Sequence, residues 1–303
     1  MILEAEDLAR SYGEVQAIRG LSLGLAEGTI TGLLGPDGAG KTTTMRLLTG
    51  LIRPDRGATR HRGRDTTGRR ATGGWLGYMP QRFSLYGDLT VDENLRFYAE
   101  LFGVRGERRR QGTERLLAFA RLTDFRRRRA AALSGGMKQK LALACTLIHE
   151  PEVLLLDEPT TGVDPVSRIE FWEILGELRE GGTALLVSTP YMDEADRCDH
   201  VLMLRDGIVM DEGTPGELRA RFKRAILEVS AQPMARAIRL LEALEGIREV
   251  VPFGTRLHVT VDDPSSAAEA VRRALAEADV ELEAITATRP SLEDVFVALA
   301  AER

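Results

Sequence analysis

Cysteine is scarce in this 303-residue chain, which has only Cys145 and Cys198. Neither belongs to a C-x-x-C motif, so we expect a reducing, cytosolic compartment. No apolar run approaches the roughly 18–20 residues that a membrane span needs. The first residues, Met-Ile-Leu-Glu-Ala-Glu-Asp, lack the basic and apolar regions of a secretion signal. A role at a membrane would therefore need a second polypeptide that crosses the bilayer.

Lysine is scarce as well, with four residues among 41 basic ones. The formal net charge of −5 argues against nucleic acid as the main partner. Hydrophobic residues make up 43% of the chain, which is enough for a sizeable core. The length predicts two domains, or one large domain with an appendage.

The most informative segment, residues 35–42, reads Gly-Pro-Asp-Gly-Ala-Gly-Lys-Thr, a complete G-x-x-x-x-G-K-[ST] phosphate-binding loop. Glycines allow the backbone N–H groups of such a loop to surround an anion. Lys41 is placed to reach the β- and γ-phosphates, and the hydroxyl of Thr42 to hold Mg²⁺. We also expect a buried strand over residues 29–34 and a helix over residues 41–51, whose N-terminus favours an anion. The other residues of this predicted nucleotide site are Gly35, Pro36, Asp37, Gly38, Ala39, Gly40 and Thr43.

Two further motifs carry chemistry. Val-Leu-Leu-Leu followed by Asp157 and Glu158 predicts a buried parallel strand that ends in two acids. Asp157 is expected in the Mg²⁺ shell, and Glu158 is expected to polarise the attacking water. In Leu-Ser-Gly-Gly-Met, Ser134 predicts a helix N-cap, and Gly135 and Gly136 leave bare N–H groups for a second phosphate site. One nucleotide needs one such site, so the second is expected to close over the nucleotide of another protomer.

The pattern of residues also divides the chain. Residues 90–151 are helical in pattern and start with a capping-box signature at Thr90 and Glu93. After residue 224 the order β-α-β-β-α-β plus a helix predicts a ferredoxin-like domain. The sequence therefore predicts a boundary near residue 224.

Taken in order, the phosphate loop, Gln81, Leu-Ser-Gly-Gly, the Asp-Glu pair and Asp164 resemble an ABC transporter ATP-binding subunit over residues 1–220. The resemblance implies an α/β fold, with a P-loop NTPase core of ABC type over residues 1–224. That core would carry an antiparallel β subdomain and a helical subdomain at about 86–150. Residues 225–303 would form the small α+β, ferredoxin-like accessory domain.

The resemblance also assigns roles. Tyr12 matches the aromatic residue that stacks on adenine, and Gln81 matches the glutamine that joins Mg²⁺ and water to the transporter interface. Ser134, Gly135 and Gly136 match the signature that contacts the γ-phosphate of the other protomer in a head-to-tail dimer. Asp164 matches a loop that contacts the opposing nucleotide site. ATP and Mg²⁺ are thus the implied cofactors. Catalysis is assigned to Glu158, Gln81 and Lys41, and metal binding to Thr42, Gln81 and Asp157.

Two features indicate a subfamily of ABC transporter ATP-binding subunits. Met137 in the signature and the tail at residues 290–296 are similar to drug and polysaccharide exporter ATPases of the ABC-2 class. This branch implies a separate membrane permease, a homodimer or heterodimer of ATPase subunits, and a location on the cytoplasmic face of the cell membrane. In the family, the stretch that holds Phe83, Leu85 and Tyr86 docks the permease; core packing is the other interpretation of these three side chains.

Two rival functions remain open. One is a soluble ABC-type ATPase without a permease, although such proteins usually have two fused cassettes or long coiled-coil insertions. The other is a catalytically weak subunit that pairs with a competent homologue. The second is motivated by Pro190, which occupies the position where the family usually has a histidine that contacts the γ-phosphate. Proline has no side-chain donor and no N–H, so either Glu158 suffices for hydrolysis or turnover is slowed.

We predict that Pro190→His raises the rate of ATP hydrolysis. One restored hydrogen bond to the γ-phosphate is worth about 10²–10³-fold in turnover, by analogy with the loss of one oxyanion donor. Steady-state kcat at saturating Mg·ATP measures the change, with Pro190→Ala as the control that removes the ring without adding a donor. An unchanged kcat at unchanged ATP affinity would show that Glu158 suffices.

Overall fold

The structure is a computed structural model that describes residues 1–69, 74–82 and 85–301. The chain divides into two compact units, Met1–Glu212 and Gly213–Arg303. In chain order, the elements up to residue 213 are β1 (Leu3–Tyr12), β2 (Val15–Leu25), β3 (Ile30–Leu34), α1 (Lys41–Leu48), β4 (Arg56–His61), β5 (Arg64–Asp65), β6 (Leu76–Met79), α2 (Val91–Leu101), α3 (Gly106–Phe119), α4 (Gly135–Leu147), β7 (Val153–Asp157), α5 (Pro165–Glu180), β8 (Ala184–Thr189), α6 (Met192–Ala195), β9 (His200–Arg205) and β10 (Ile208–Gly213).

A six-stranded sheet in the order β10-β9-β3-β8-β7-β6 forms the centre of the first unit. Strand β3 is parallel to β8 and β9, and β7 is parallel to β6 and β8. Every residue of β3, β7 and β8 is buried, as their almost uninterrupted apolar sequences require in a parallel sheet covered on both faces. The register pairs Leu34 with Thr189 and Asp157 with Ser188. The loops that follow these strands therefore leave from one edge of the sheet.

An antiparallel sheet in the order β2-β1-β4-β5 forms the second layer. Its apolar side chains share one core with α1 and the central sheet, in which Leu3, Leu21, Met45 and Leu155 are buried. This sheet is the antiparallel β subdomain that the resemblance implied, and it brings β2 alongside the loop between β3 and α1.

Three helices, α2, α3 and α4, pack on one another in the predicted helical segment. Thr90 accepts a hydrogen bond from the N–H of Glu93, and the Glu93 carboxylate accepts one from the N–H of Thr90. This confirms the capping box. Across the described ranges, no helix combines the length and apolar character needed to cross a membrane.

The elements from residue 215 onward are α7 (Pro215–Arg221), β11 (Ala225–Gln232), α8 (Met234–Glu242), β12 (Ile247–Phe253), β13 (Arg256–Val261), α9 (Pro264–Glu277), β14 (Glu281–Thr288) and α10 (Leu292–Ala301). Their sheet is antiparallel in the order β12-β13-β11-β14. This is the ferredoxin-like arrangement that the sequence predicted. Helix α7 packs against α10, so α7 belongs to the second unit, which starts at Gly213. The boundary that the sequence predicted near residue 224 lies after α7.

We predict that Leu155→Ala lowers the free energy of unfolding by about 2–5 kcal/mol, because the cavity left in a fully buried site collapses only partly. Leu155 is 0% exposed in β7, in the core shared by the two sheets. Urea unfolding followed by circular dichroism measures the change. Leu51→Ala, at a side chain that is 49% exposed, is the control and should change stability by less than about 0.5 kcal/mol. Equal effects of the two substitutions would contradict this assignment of the core.

Candidate functional site

The loop between β3 and α1 lies close to two neighbouring strands. A Cβ added to Gly35 would lie 2.2 Å from the carbonyl oxygen of Leu204, and one added to Gly40 would lie 2.6 Å from that of Ala17. Gly40 also has a φ of 108°, which side chains of L-residues rarely allow. Glycine is therefore required for the loop to hold this shape, and α1 starts directly after it.

A cleft of about 630 Å³ opens in front of this loop. It is large enough for a small-molecule ligand. The residues that line it come from β2, the phosphate loop, the start of α1, the segment after β6, the tip of β7 and the β9–β10 turn: Val15, Gln16, Ala17, Arg19, Asp37, Gly38, Gly40, Lys41, Thr42, Thr43, Gln81, Glu158 and Asp206.

Lys41 is the centre of the polar contacts on the cleft wall. Its Nζ donates to the carbonyl oxygens of Gly35 at 2.8 Å and Pro36 at 3.0 Å. The same atom lies 3.0 Å from Oε1 of Glu158, and the two side chains are only 3% and 6% exposed. Gln81 Nε2 donates to the other carboxylate oxygen of Glu158 at 2.9 Å. The structure thus brings together the three residues that the sequence assigned to catalysis.

Glu158 has an unusual backbone, with a φ of 48°. Its N–H donates to the carbonyl oxygen of Ser188 at 3.2 Å and to Oγ of the same residue at 3.0 Å. The hydroxyl of Thr161 contacts Oε2 of Glu158 at 3.3 Å. Backbone strain of this kind persists where surrounding contacts enforce it, and it concentrates at functional sites. Here it directs the carboxylate into the cleft.

Asp157, 1% exposed, is held by two residues that the sequence analysis missed. Ser188 Oγ donates to Oδ1 at 2.8 Å, and the Tyr78 hydroxyl donates to Oδ2 at 3.4 Å. Burial, together with the charge of Asp157, raises the pKa of Tyr78 to about 12, so its hydroxyl stays a donor. The sequence could have indicated both contacts, because Tyr78 and Ser188 lie near the carboxyl ends of the strands on either side of β7. Polar residues at such strand ends meet at one edge of a parallel sheet.

The signature residues lie apart from this cleft. Ser134 caps α4 by accepting from the N–H of Met137 at 3.3 Å, and Asp164 caps α5 by accepting from the N–H of Ser167 at 2.9 Å. A Cβ on Gly136 would lie 2.3 Å from Oγ of Ser167, so the first turns of α4 and α5 are in close contact. Among the described residues that line the cleft, none comes from either helix start.

Tyr12 lies at the end of β1, where it pairs with Val15 of the cleft wall. It is 44% exposed, and the guanidinium of Arg10 lies 5.1 Å from its ring centroid. Of the described residues, Tyr12 is not one that lines the cleft, although its strand partner is.

A groove of about 430 Å³ begins next to Gln81. Leu85 lines it, whereas Tyr86 is 46% exposed and packs edge-on against Phe97 with ring centroids 4.6 Å apart. Phe83 lies outside the described residues. The groove is lined by Gln81, Arg82, Leu85, Gly87, Ala130, Ala131, Lys138, Gln139 and Ala142.

Comparison with known proteins agrees with this geometry. Residues 18–161 match the ABC transporter family, and residues 213–300 match the C-terminal domain of DrrA1-3-like ATP-binding proteins. The daunorubicin resistance ATP-binding protein DrrA2 of Streptomyces coeruleorubidus is 36% identical over 307 residues, which is 99% of this chain and 95% of that protein. The probable multidrug ABC transporter ATP-binding protein YbhF of Escherichia coli (strain K12) is 43% identical over 292 residues. That alignment covers 93% of this chain and 49% of YbhF, so the chain spans about half the length of this relative.

A solved structure extends the comparison to the fold. The dimeric post-hydrolysis state of an ATP-binding cassette bound to ADP and Pi superimposes with a TM-score of 0.62 at 26% sequence identity. The match covers 70% of this chain and 98% of that cassette.

We predict that Gly35→Ala weakens nucleotide binding by more than about tenfold, or about 1.4 kcal/mol. The new methyl group would meet a backbone oxygen, so the loop must move away from its present position. Titration with a fluorescent ATP analogue measures affinity, and circular dichroism reports folding. Gly176→Ala is the matched control, because nothing lies within 4 Å of a Cβ there. Unchanged affinity in the folded Gly35→Ala variant would contradict the assignment of the loop.

Proposed function

Because the chain belongs to the ABC transporter family of ATP-binding proteins, we propose that it binds Mg·ATP and hydrolyses it to power a separate membrane permease. The observation that carries this proposal is the meeting of Lys41, Gln81 and Glu158 on the wall of one cleft. The names of DrrA2 and YbhF concern drug resistance and multidrug transport, which supports an exporter of the ABC-2 type.

The phosphate loop suits a triphosphate. Glycine at positions 35 and 40 lets the loop pass close to the backbone of Leu204 and Ala17, and the N-terminus of α1 favours an anion. Lys41 gives its N–H donors to Gly35, Pro36 and Glu158 in this structure. A γ-phosphate would replace Glu158 as the anionic partner of Lys41, and the released carboxylate would face the cleft beside Gln81.

The oxygen atoms near the loop also fit a hard divalent cation. Asp157, the Thr42 hydroxyl and the Gln81 amide oxygen are the ligand types that Mg²⁺ accepts together with waters and phosphates. When bound, Mg²⁺ neutralises charge that develops on the phosphates. Ser188 and Tyr78 fix the orientation of Asp157 for this purpose.

Glu158 is proposed to take the proton of the attacking water. Its carboxylate lies at the cleft wall, and Gln81 donates to it at 2.9 Å. The left-handed backbone at Glu158 and its contact with Thr161 hold the carboxylate towards the position of the γ-phosphate.

A dimer completes the site in this proposal. Ser134, Gly135, Gly136 and Asp164 lie together at two adjacent helix starts, outside the cleft of their own chain. A second protomer arranged head to tail would present them to the nucleotide. The matched cassette with ADP and Pi is itself dimeric, which supports this arrangement without choosing between a homodimer and a heterodimer.

The permease is proposed to dock beside Gln81, on the groove that Leu85 lines, at the cytoplasmic face of the cell membrane. Gln81 borders both the cleft and this groove, so it can connect the state of the nucleotide to the permease. Pro190 at the position of the usual histidine favours the second candidate, a weakly active subunit that needs a competent homologue.

We predict that Glu158→Gln abolishes steady-state ATP hydrolysis and retains ATP binding, because the amide cannot take a proton. ATP-dependent dimers should then accumulate, as light scattering measures. Glu180→Gln, at an exposed acid on α5, is the control and should behave as the wild type. If the wild type binds ATP tightly but does not hydrolyse it, the chain is the weakly active subunit of the second candidate.

A further inference from the structure

A buried carboxylate outside the cleft joins three parts of the site. Glu194 of α6 is 1% exposed. Its Oε1 accepts from the Thr160 hydroxyl at 2.6 Å and from Arg168 Nε at 3.0 Å, and its Oε2 accepts from the Thr189 hydroxyl at 2.6 Å. A charge this deeply buried is tolerated only when it is paired and hydrogen-bonded, and all of these donors come from other elements.

The backbone carbonyl of each threonine that donates to Glu194 accepts a second hydrogen bond. The carbonyl of Thr160, in the loop after Glu158, accepts from the N–H of Val163 at 3.1 Å. The carbonyl of Thr189 accepts from the N–H of Gly35 at 3.4 Å. The Thr189 hydroxyl also accepts from the N–H of Tyr191 at 3.0 Å, across Pro190.

We propose that Glu194 is a positioning residue for ATP hydrolysis, an inference that rests on the function proposed above. It holds the loop at residues 158–164 against the segment at residues 189–191 and the start of the phosphate loop. Through Thr160 it keeps Glu158 in its left-handed conformation, with the carboxylate in the cleft. Glu194 does not touch the nucleotide itself, since it lies outside the cleft lining.

A carboxylate is needed because both hydroxyls and Arg168 donate at the same time. Glutamine has one acceptor oxygen, so one hydroxyl loses its acceptor and Arg168 Nε loses an ionised partner. Arg168 keeps Asp193, whose Oδ2 lies 3.1 Å from its Nη2, so the fold retains part of this network.

The kinetic test compares Glu194→Gln and Thr160→Val in the full chain. Each should lower kcat for Mg·ATP by more than about tenfold while KM changes by less than about twofold, because substrate contacts are intact. The fold-loss of kcat in the double variant should be smaller than the product of the two single losses, since both substitutions act on the hydrogen bond between Glu194 and Thr160. Thr160→Ser keeps the hydroxyl and should restore kcat.

A second readout does not depend on hydrolysis. In nucleotide-free protein, hydrogen–deuterium exchange of peptides covering residues 158–164 and 189–191 should accelerate in both variants by more than about threefold. Thr59→Val, at a threonine that is 1% exposed and bonded to Thr66, is the matched control and should alter neither peptide nor kcat.

The outcomes separate the two proposals. Wild-type kcat or unchanged exchange in Glu194→Gln overturns the positioning role, and so does a loss of kcat that Thr160→Ser fails to restore. A wild-type chain without hydrolysis overturns the proposed function instead, and the exchange experiment then still decides whether Glu194 couples the two segments.

Discussion

The ion pair between Lys41 and Glu158 is the contact on which the rest of the site depends. It joins the phosphate loop to the tip of β7 across the edge of the parallel sheet, with both side chains almost fully buried. A buried charge pair is costly to break from one side only. In the proposed function a triphosphate would supply another anion for Lys41, and the Glu158 carboxylate would then be free to act on water.

The parallel sheet makes this arrangement possible. Leu34, Asp157 and Thr189 end neighbouring strands in register, so three loops with separate positions in the sequence emerge side by side. Because β3, β7 and β8 are fully buried, the starting points of the three loops are held in place by the packing of the sheet. Asp157 and Ser188 lie near the ends of β7 and β8 and are hydrogen-bonded to each other, so the strand register itself positions the Asp157 carboxylate.

Local patterns in the sequence predicted much of this structure. The strand before the phosphate loop, the helix from Lys41, the capped helix after Thr90 and the ferredoxin-like order were confirmed, and so was membership of the ABC family. The contacts of Asp157 with Ser188 and Tyr78, and that of Glu194 with Thr160, join residues far apart in sequence. No periodicity encodes such pairs, because they depend on strand register and on close packing. The roles of Tyr12, Ser134 and Asp164 stay predictions.

The close approach of Gly136 to Ser167 has a mechanical consequence. One turn further on, Lys140 of α4 forms an ion pair with Glu170 of α5, so the two helices are fastened at two successive levels. With contacts at both levels, α4 and α5 are expected to move together and not to rotate relative to each other. A displacement of the first turn of either helix should therefore displace the other helix as well. The absence of a side chain at Gly136 allows the two first turns to approach this closely.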